Sequence, residues 1–358
     1  MPRIPETPPD PVPASPPRPR LAALDAARAL GVVAMVVGHT LDAVLAPAAR
    51  SSPGMVQYWH ARGLTAPLFM LVSGWAVTLA IGRSGARGWA IPRGRLGRVA
   101  LLFALGYLLR WPGWGFGRLV AGDREVWAHF LAFDALHCIA AALLVASLVL
   151  ALPKRPIQAV LLVALSVAAV LGGRAAAQGA GSAGLPAGVP GIALAQVFGG
   201  TSPFPVLPWA AYFFSGTLAG LLVPTDRRGA LLLGAVGATL VAVTWHWHGV
   251  GDRPPGDPVL FCFRTGSVLT FLAGLGLVPS ALSARAAPLG RSSLGVYALH
   301  LPIVYGWSSF PGLSWRVGPL LGAGGALGVA LAVLLASYLA ARALGALLRF
   351  AGRKARGL

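Results

Sequence analysis

Runs of about twenty apolar residues recur along this 358-residue chain, and such a run has few ways to fold other than as a membrane-crossing helix. Segments rich in Gly, Pro and Arg separate the runs. About ten runs stand out by length: 21–46, 64–82, 96–112, 129–152, 157–174, 205–223, 229–247, 259–278, 292–310 and 318–347. The reading is an all-α integral membrane protein with about ten transmembrane helices in one domain over 21–347. Residues 1–20, MPRIPETPPDPVPASPPRPR, are too polar and proline-rich for a signal-peptide core and read as a disordered cytoplasmic tail. Residues 348–358 read as a basic tail on the same side.

Composition agrees with membrane residence. Hydrophobic residues make up 56% of the chain and charged residues 11%, against about 25% charged in soluble domains. A net charge of +19 raises the possibility of a nucleic-acid partner, but the basic residues are dispersed between apolar runs, not gathered into one patch, which excludes it. With the N-terminus inside, about 19 Lys and Arg fall on the cytoplasmic side and about 8 outside. That bias predicts both termini in the cytoplasm of a bacterial-type inner (plasma) membrane. Cys138 and Cys262 lie in separate runs and suggest no disulfide framework.

The first run is anomalous. LDAARALGVVAMVVGHTLDAVL (24–45) carries Asp25, Arg28, His39 and Asp42. At about 100° per residue, the eleven steps from Arg28 to His39 return to within about 20° of one direction and rise about 16 Å. Asp25 and Asp42 lie three residues outside them and extend the stripe. A charge facing lipid at mid-helix costs about 2.5–3.5 kcal/mol, so the stripe must face protein or a water-filled path. One reading is structural, with Asp25–Arg28 and His39–Asp42 as i,i+3 pairs. The other makes His39 a general base oriented by Asp42.

Arg28, ten residues, then His39 resembles the R-x10-H signature of the acyltransferase-3 family of membrane acyltransferases. MVVGHTLDAVL (35–45), WHARGLTAPLFMLVSGWAV (59–77), FPVLPWAAYFFSGTLAGLL (204–222) and SLGVYALHLPIVYGW (293–307) are similar, in that order, to blocks of a sister group. That group is the bacterial relatives of heparan-α-glucosaminide N-acetyltransferase, and the resemblance runs from about 21 to 310. It implies an enzyme that takes an acyl group, expected to be acetyl, from cytoplasmic acyl-CoA. The acceptor would be a hydroxyl or amine of an extracytoplasmic sugar or glycan. His39 carries over as the catalytic histidine, Arg28 as its partner and His60 as a second candidate for carrying the acyl group. Direct transfer and an acyl-histidine relay both stay open.

Further candidates follow from chemistry. Arg93, Arg95 and Arg98, in RGWAIPRGRLGRVALLF, suit the phosphates of acyl-CoA or simple positive-inside anchoring. Arg264, inside FCFRTGSVLTF, needs a carboxylate (Asp134 or Asp257) or a ligand anion. His300, with Tyr297 one turn earlier, and Trp209 of the 204–222 block are expected along the substrate path. Trp59, Trp111, Trp114, Trp127, Trp245 and Trp247 fit an interfacial belt or a sugar-stacking surface. His246 and His248 lack companion carboxylates, so no metal is expected. GxSxG does not occur, which disfavours serine catalysis. The rival readings are a transporter or flippase of a sugar-type or lipid-linked substrate, and a noncatalytic partner in glycan assembly. No internal repeat supports the first. The acceptor, the acyl length and the oligomeric state stay open.

Overall fold

The computed structural model describes residues 21–180, 187–246 and 253–354. The expected tail 1–20, Trp247, His248 and residues 355–358 lie outside the described residues. The chain is helical almost throughout. α1 (Ala22–Val44) is followed by α2 (Pro53–Arg62), which meets α3 (Thr65–Ser84) at Gly63. Next come α4 (Ala90–Leu109), α5 (Arg124–Leu131), α6 (Ala135–Leu150), α7 (Arg155–Ala175) and α8 (Gly188–Phe198). α9 (Val206–Leu222), α10 (Arg227–Trp245) and α11 (Pro258–Leu277) lead to α12 (Ser280–Arg291), α13 (Ser293–Tyr305) and α14 (Ala323–Lys354).

Among the described residues, six stretches are long and apolar enough to cross a bilayer: α1, α2 with α3, α7, α10, α11 and α14. Two bent pairs raise the number to eight: α4 with Gly113–Val120, at 93°, and α5 with α6, at 58°. The protein is therefore an all-α membrane protein with six to eight spans of that length, where about ten were expected from hydropathy. The difference lies in α9 and α13, which are apolar but have only 17 and 13 residues, short of the roughly 20 that cross a bilayer untilted. α13 stops where Gly306, at φ 92°, turns the chain into a hairpin pairing Gly306–Trp307 (β1) with Phe310–Pro311 (β2). Hydropathy also hid α12. Its buried Ser283, Ala287 and Gly290 recur at helical spacing and leave Arg285 and Arg291 off that small face.

α1 occupies a central place and packs against α3, α12, α13 and α14. Its apolar face joins Val32, Val36 and Val44 to Val296 and Val304 of α13 and Val333 of α14. α9 is the second buried element; it lies between α3 and α7, with Tyr212 and Phe213 almost fully covered. Four aspartates are spent on helix starts, where their carboxylates accept otherwise unpaired backbone N–H groups. Asp123 caps α5, Asp134 caps α6, Asp226 caps α10 and Asp257 caps α11. At Asp134 the box is closed by His137, whose Nδ1 accepts from the Asp134 amide at 3.2 Å.

α3 and α9 cross by close backbone approach, as small residues allow in membranes. A Cβ on Gly216 would run into the Leu71 carbonyl. Gly216→Val should therefore cost at least the ~1–3 kcal/mol of an overpacked site and abolish monodisperse protein in detergent. Gly82→Ala, with open space around it, should leave thermal unfolding of the purified protein unchanged. Equal stability for the two variants would refute the tight crossing.

Candidate active site

One large cavity, of about 1770 Å³, runs along the polar stripe of α1. Towards the N-terminal end of α1 its walls carry Asp25, Arg28, Arg95, Arg98 and Arg291. Towards the C-terminal end they carry His39, Trp59, Arg62, Tyr305, Trp307 and Trp315. Arg110, Asp134, Trp209, Arg264 and Tyr297 also line it. Eight arginines line the cavity against three acids, Asp25, Glu125 and Asp134. Asp25, Arg28 and His39 of the stripe thus face a solvent-sized space, as the cost of charge in lipid demands, whereas Asp42 does not line it.

At the first end, Arg28 Nη1 donates to Asp25 Oδ1 at 3.2 Å, the pairing expected from their spacing. Arg95 and Arg98 share a face of α4 and reach the cavity, whereas Arg93 is exposed and does not line it. The reason is angular. Arg93 lies about 200° round the helix from Arg95, while Arg98 lies only about 60° from it. Arg291, at the end of α12, joins this cluster and was not anticipated.

At the other end, His39 Nδ1 lies 2.9 Å from Tyr305 Oη, and Tyr305 Oη is also 3.4 Å from the His39 carbonyl. If the phenol donates to that carbonyl, Nδ1–H donates to the phenol oxygen and Nε2 keeps its lone pair as a base. His300 is fully buried, its Nδ1–H donates to the Val296 carbonyl at 2.9 Å, and its ring lies 5.4 Å from that of His39. Its Nε2 has no hydrogen-bond partner among the described residues. Tyr297 stacks edge-on against His300 at 5.9 Å and completes this wall.

The side-chain hydrogen-bond partner of His39 is therefore Tyr305, where the spacing had suggested Asp42. Asp42 is held instead by arginines from the following segment. Arg62 Nη2 bonds its Oδ2, and Arg50 Nη1 lies 3.8 Å from its Oδ1. Three residues turn a helix through about 300°, which rotates Asp42 about 60° from His39 and towards those arginines. His60 is exposed on α2, its Nδ1–H donates to the Val56 carbonyl at 2.9 Å, and it does not line the cavity.

Arg264 has neither expected carboxylate. The Asp134 carboxylate caps the start of α6, and Asp257 is engaged by Arg253 at 3.0 Å and the start of α11. Arg264 lies instead beside Gly63 and Tyr212. Trp59 and Trp111 line the cavity, while Trp114 and Trp245 are exposed. Sequence reasoning missed Tyr305, Arg62, Arg291, Trp307 and Trp315. Tyr305 belongs to the 293–307 block but lies five residues past His300, off simple helical register.

The outer rim is built by loops. Arg118 bonds Asp123 at 2.6 and 2.9 Å, and that bond, with the Val126 and Glu125 amides, holds the Asp123 carboxyl below the usual carboxylate range. Trp307 Nε1–H donates to the Leu108 carbonyl at 2.7 Å, which ties the hairpin to the end of α4. Among the described residues, no three His, Cys, Asp or Glu side chains gather in a way that could hold a metal.

A helical membrane domain with a histidine–tyrosine pair at one end of a cavity and an arginine cluster at the other defines an integral membrane protein with a large, arginine-lined polar cavity. The chain matches the model of the heparan-alpha-glucosaminide N-acetyltransferase catalytic domain over residues 20–249 and belongs to that family. It is thus an integral membrane transferase of the acetyltransferase type. No individual curated protein matches the chain. The 293–307 block, with His300 and Tyr305, lies beyond the matched stretch but is brought against His39 by α13.

Tyr305→Phe removes one hydrogen bond from His39. The loss of a neutral bond, about 1 kcal/mol, should slow acetyl transfer about five- to tenfold without weakening donor binding. An unchanged rate, measured as thiol release from acetyl-CoA, would show that Tyr305 does not orient the base.

Proposed function

We propose that the protein takes an acetyl group from cytoplasmic acetyl-CoA and delivers it to a hydroxyl or amine of a sugar or glycan on the far side of the membrane. The observation that carries this reading is the cavity itself, which joins the arginine cluster to the His39–Tyr305 pair. Arg28 and His39 stand about 16 Å apart along α1, a span that an extended pantetheine arm can bridge. Arg95, Arg98 and Arg291 then take the phosphates through charge-assisted bonds. In this reading both termini are cytoplasmic, α9 and α13 complete ten crossings, and residues 21–347 act as one domain.

His39 Nε2 removes the proton of the acceptor as it attacks the thioester carbonyl. Trp59, Trp111, Trp307 and Trp315 offer flat apolar faces at the acceptor's end, and Trp209, Tyr297 and Arg264 line its approach. His60 supports a relay less well because it stands outside the cavity, although it belongs to the matched stretch. A cavity open along its length also suits transport, but the family match favours transfer.

Two measurements on purified protein test the reading. His39→Ala should abolish acetyl-CoA turnover, the about 10²–10⁴-fold contribution of a general base, while His60→Ala retains it within a few fold. The reverse pattern would establish the relay, and no turnover by the parent protein would remove the enzyme reading. Arg95→Gln with Arg98→Gln should raise the KM for acetyl-CoA tenfold or more, from the ~1.5–3 kcal/mol of bonds to a charged group. Arg93→Gln should not raise it. Equal effects of all three substitutions would place the donor elsewhere.

A further inference from the structure

Arg62 is held in an unusual way. It ends α2, yet its side chain lies along α1 beside the residue that precedes His39. A Cβ on Gly38 would fall 2.6 Å from Arg62 Nε and 3.1 Å from Cδ, so only glycine leaves room for the guanidinium there. Asp42, one turn further along α1, grips Nη2. The Trp59 ring lies 5.3 Å from Arg62 Cζ and 5.6 Å from Arg50 Cζ, so the indole carries both cations that converge on Asp42. Arg50 in turn anchors this arrangement to the end of α1 by donating to the Leu41 and Leu45 carbonyls at 3.3 and 3.1 Å.

The result is a guanidinium fixed on three sides and lining the cavity together with His39. A guanidinium has five N–H donors, and Asp42 occupies those of one nitrogen. No other hydrogen bond of the Arg62 side chain is made among the described residues. A cation fixed in advance beside a general base is the arrangement that stabilises negative charge developing at a reacting carbonyl.

We propose that Arg62 is a catalytic residue that receives the oxyanion of the tetrahedral intermediate, with Gly38, Asp42 and Trp59 as the groups that position it. This rests on the acetyl-transfer reading above. The acceptor oxygen or nitrogen bonds to the thioester carbonyl carbon, and its proton passes to His39 Nε2. The carbonyl π pair moves onto oxygen, and that oxyanion lies against Arg62. As the C=O bond re-forms, the C–S bond breaks and the CoA thiolate takes the proton back from His39. Atoms and charge balance, and no further reactant is required.

The test measures thiol release from acetyl-CoA by the full-length protein, with glucosamine as acceptor, for Arg62→Lys, Arg62→Ala and Gly38→Ala. Arg62→Lys and Arg62→Ala should lower kcat about 10²–10³-fold, the range for loss of one oxyanion donor, with the acetyl-CoA KM within about threefold of the parent. Gly38→Ala should lower kcat in the same sense although the arginine is intact, because the added methyl displaces it. Added guanidinium ion should restore part of the activity of Arg62→Ala, which a purely structural role would not allow. Parent-like kcat in both Arg62 variants, a change confined to KM, or a loss that guanidinium does not restore would overturn the proposal. If the parent protein itself releases no thiol, the acetyl-transfer reading fails; if the parent is active and the Arg62 variants match it, only the role of Arg62 falls.

Discussion

A charged side chain inside a bilayer must turn away from lipid, and α1 carries four ionisable groups. That constraint organises the molecule. α3, α12, α13 and α14 pack round α1, and the side that carries Asp25, Arg28 and His39 opens on the cavity. The same helix buries Val32, Val36 and Val44 in the apolar contacts with α13 and α14. One helix therefore supplies both the anchor of a core cluster and the wall of the site. Asp25 with Arg28 towards its N-terminal end and the arginine-bound Asp42 towards its C-terminal end mark the two ends of the polar face.

The scarcity of acids gives the cavity its electrostatic character. The chain has 10 acidic residues against 29 basic ones. Asp123, Asp134, Asp226 and Asp257 are used at helix starts, and Asp25 and Asp42 are bound to arginines. Little negative charge is left to neutralise Arg95, Arg98, Arg264 and Arg291 where they line the cavity. A low-dielectric cleft lined by one sign of charge concentrates ligands of the other sign. The excess of arginine is thus more than a topological signal: part of it faces the place where an anionic donor would lie.

The apolar runs and the α1 stripe were legible because they rest on periodicities that do not depend on partners. Ten hydropathy maxima each fall on helical structure, although α9 and α13 are short and the 129–152 maximum is divided between α5 and α6. The Arg28-to-His39 register was legible for the same reason, whereas Arg93, Arg95 and Arg98 were read as one group and only the structure separates Arg93 from the other two. What sequence could not show were contacts made by segments distant in the chain. Tyr305 reaches His39 from 266 residues away, and Arg62 reaches Asp42 from 20 residues away. Spacing on one helix suggested Asp42 for His39 because it could weigh only neighbours on that helix. Arg264 shows the same limit, since both candidate carboxylates were already committed to helix ends. α12 escaped notice because a helix lying against α1 with a narrow face of small residues has low hydropathy.

The shortness of α13 bears directly on the chemistry. A helix of 13 residues rises only about 20 Å, so its last residue, Tyr305, ends beside His39. Had the apolar run continued as one helix to 310, Trp307 would not stand in the hairpin from which it reaches the end of α4. Gly306 ends the helix in a backbone conformation that other residues rarely adopt. The hairpin that follows places Trp307 on the Leu108 carbonyl and Ser309 Oγ 3.3 Å from the Trp114 amide. The break that disqualifies α13 as an ordinary span therefore does two things at once: it sets the phenol against the imidazole and folds an aromatic rim over the cavity. In this fold the departure from regular membrane-helix length is where the His39–Tyr305 end of the cavity is made.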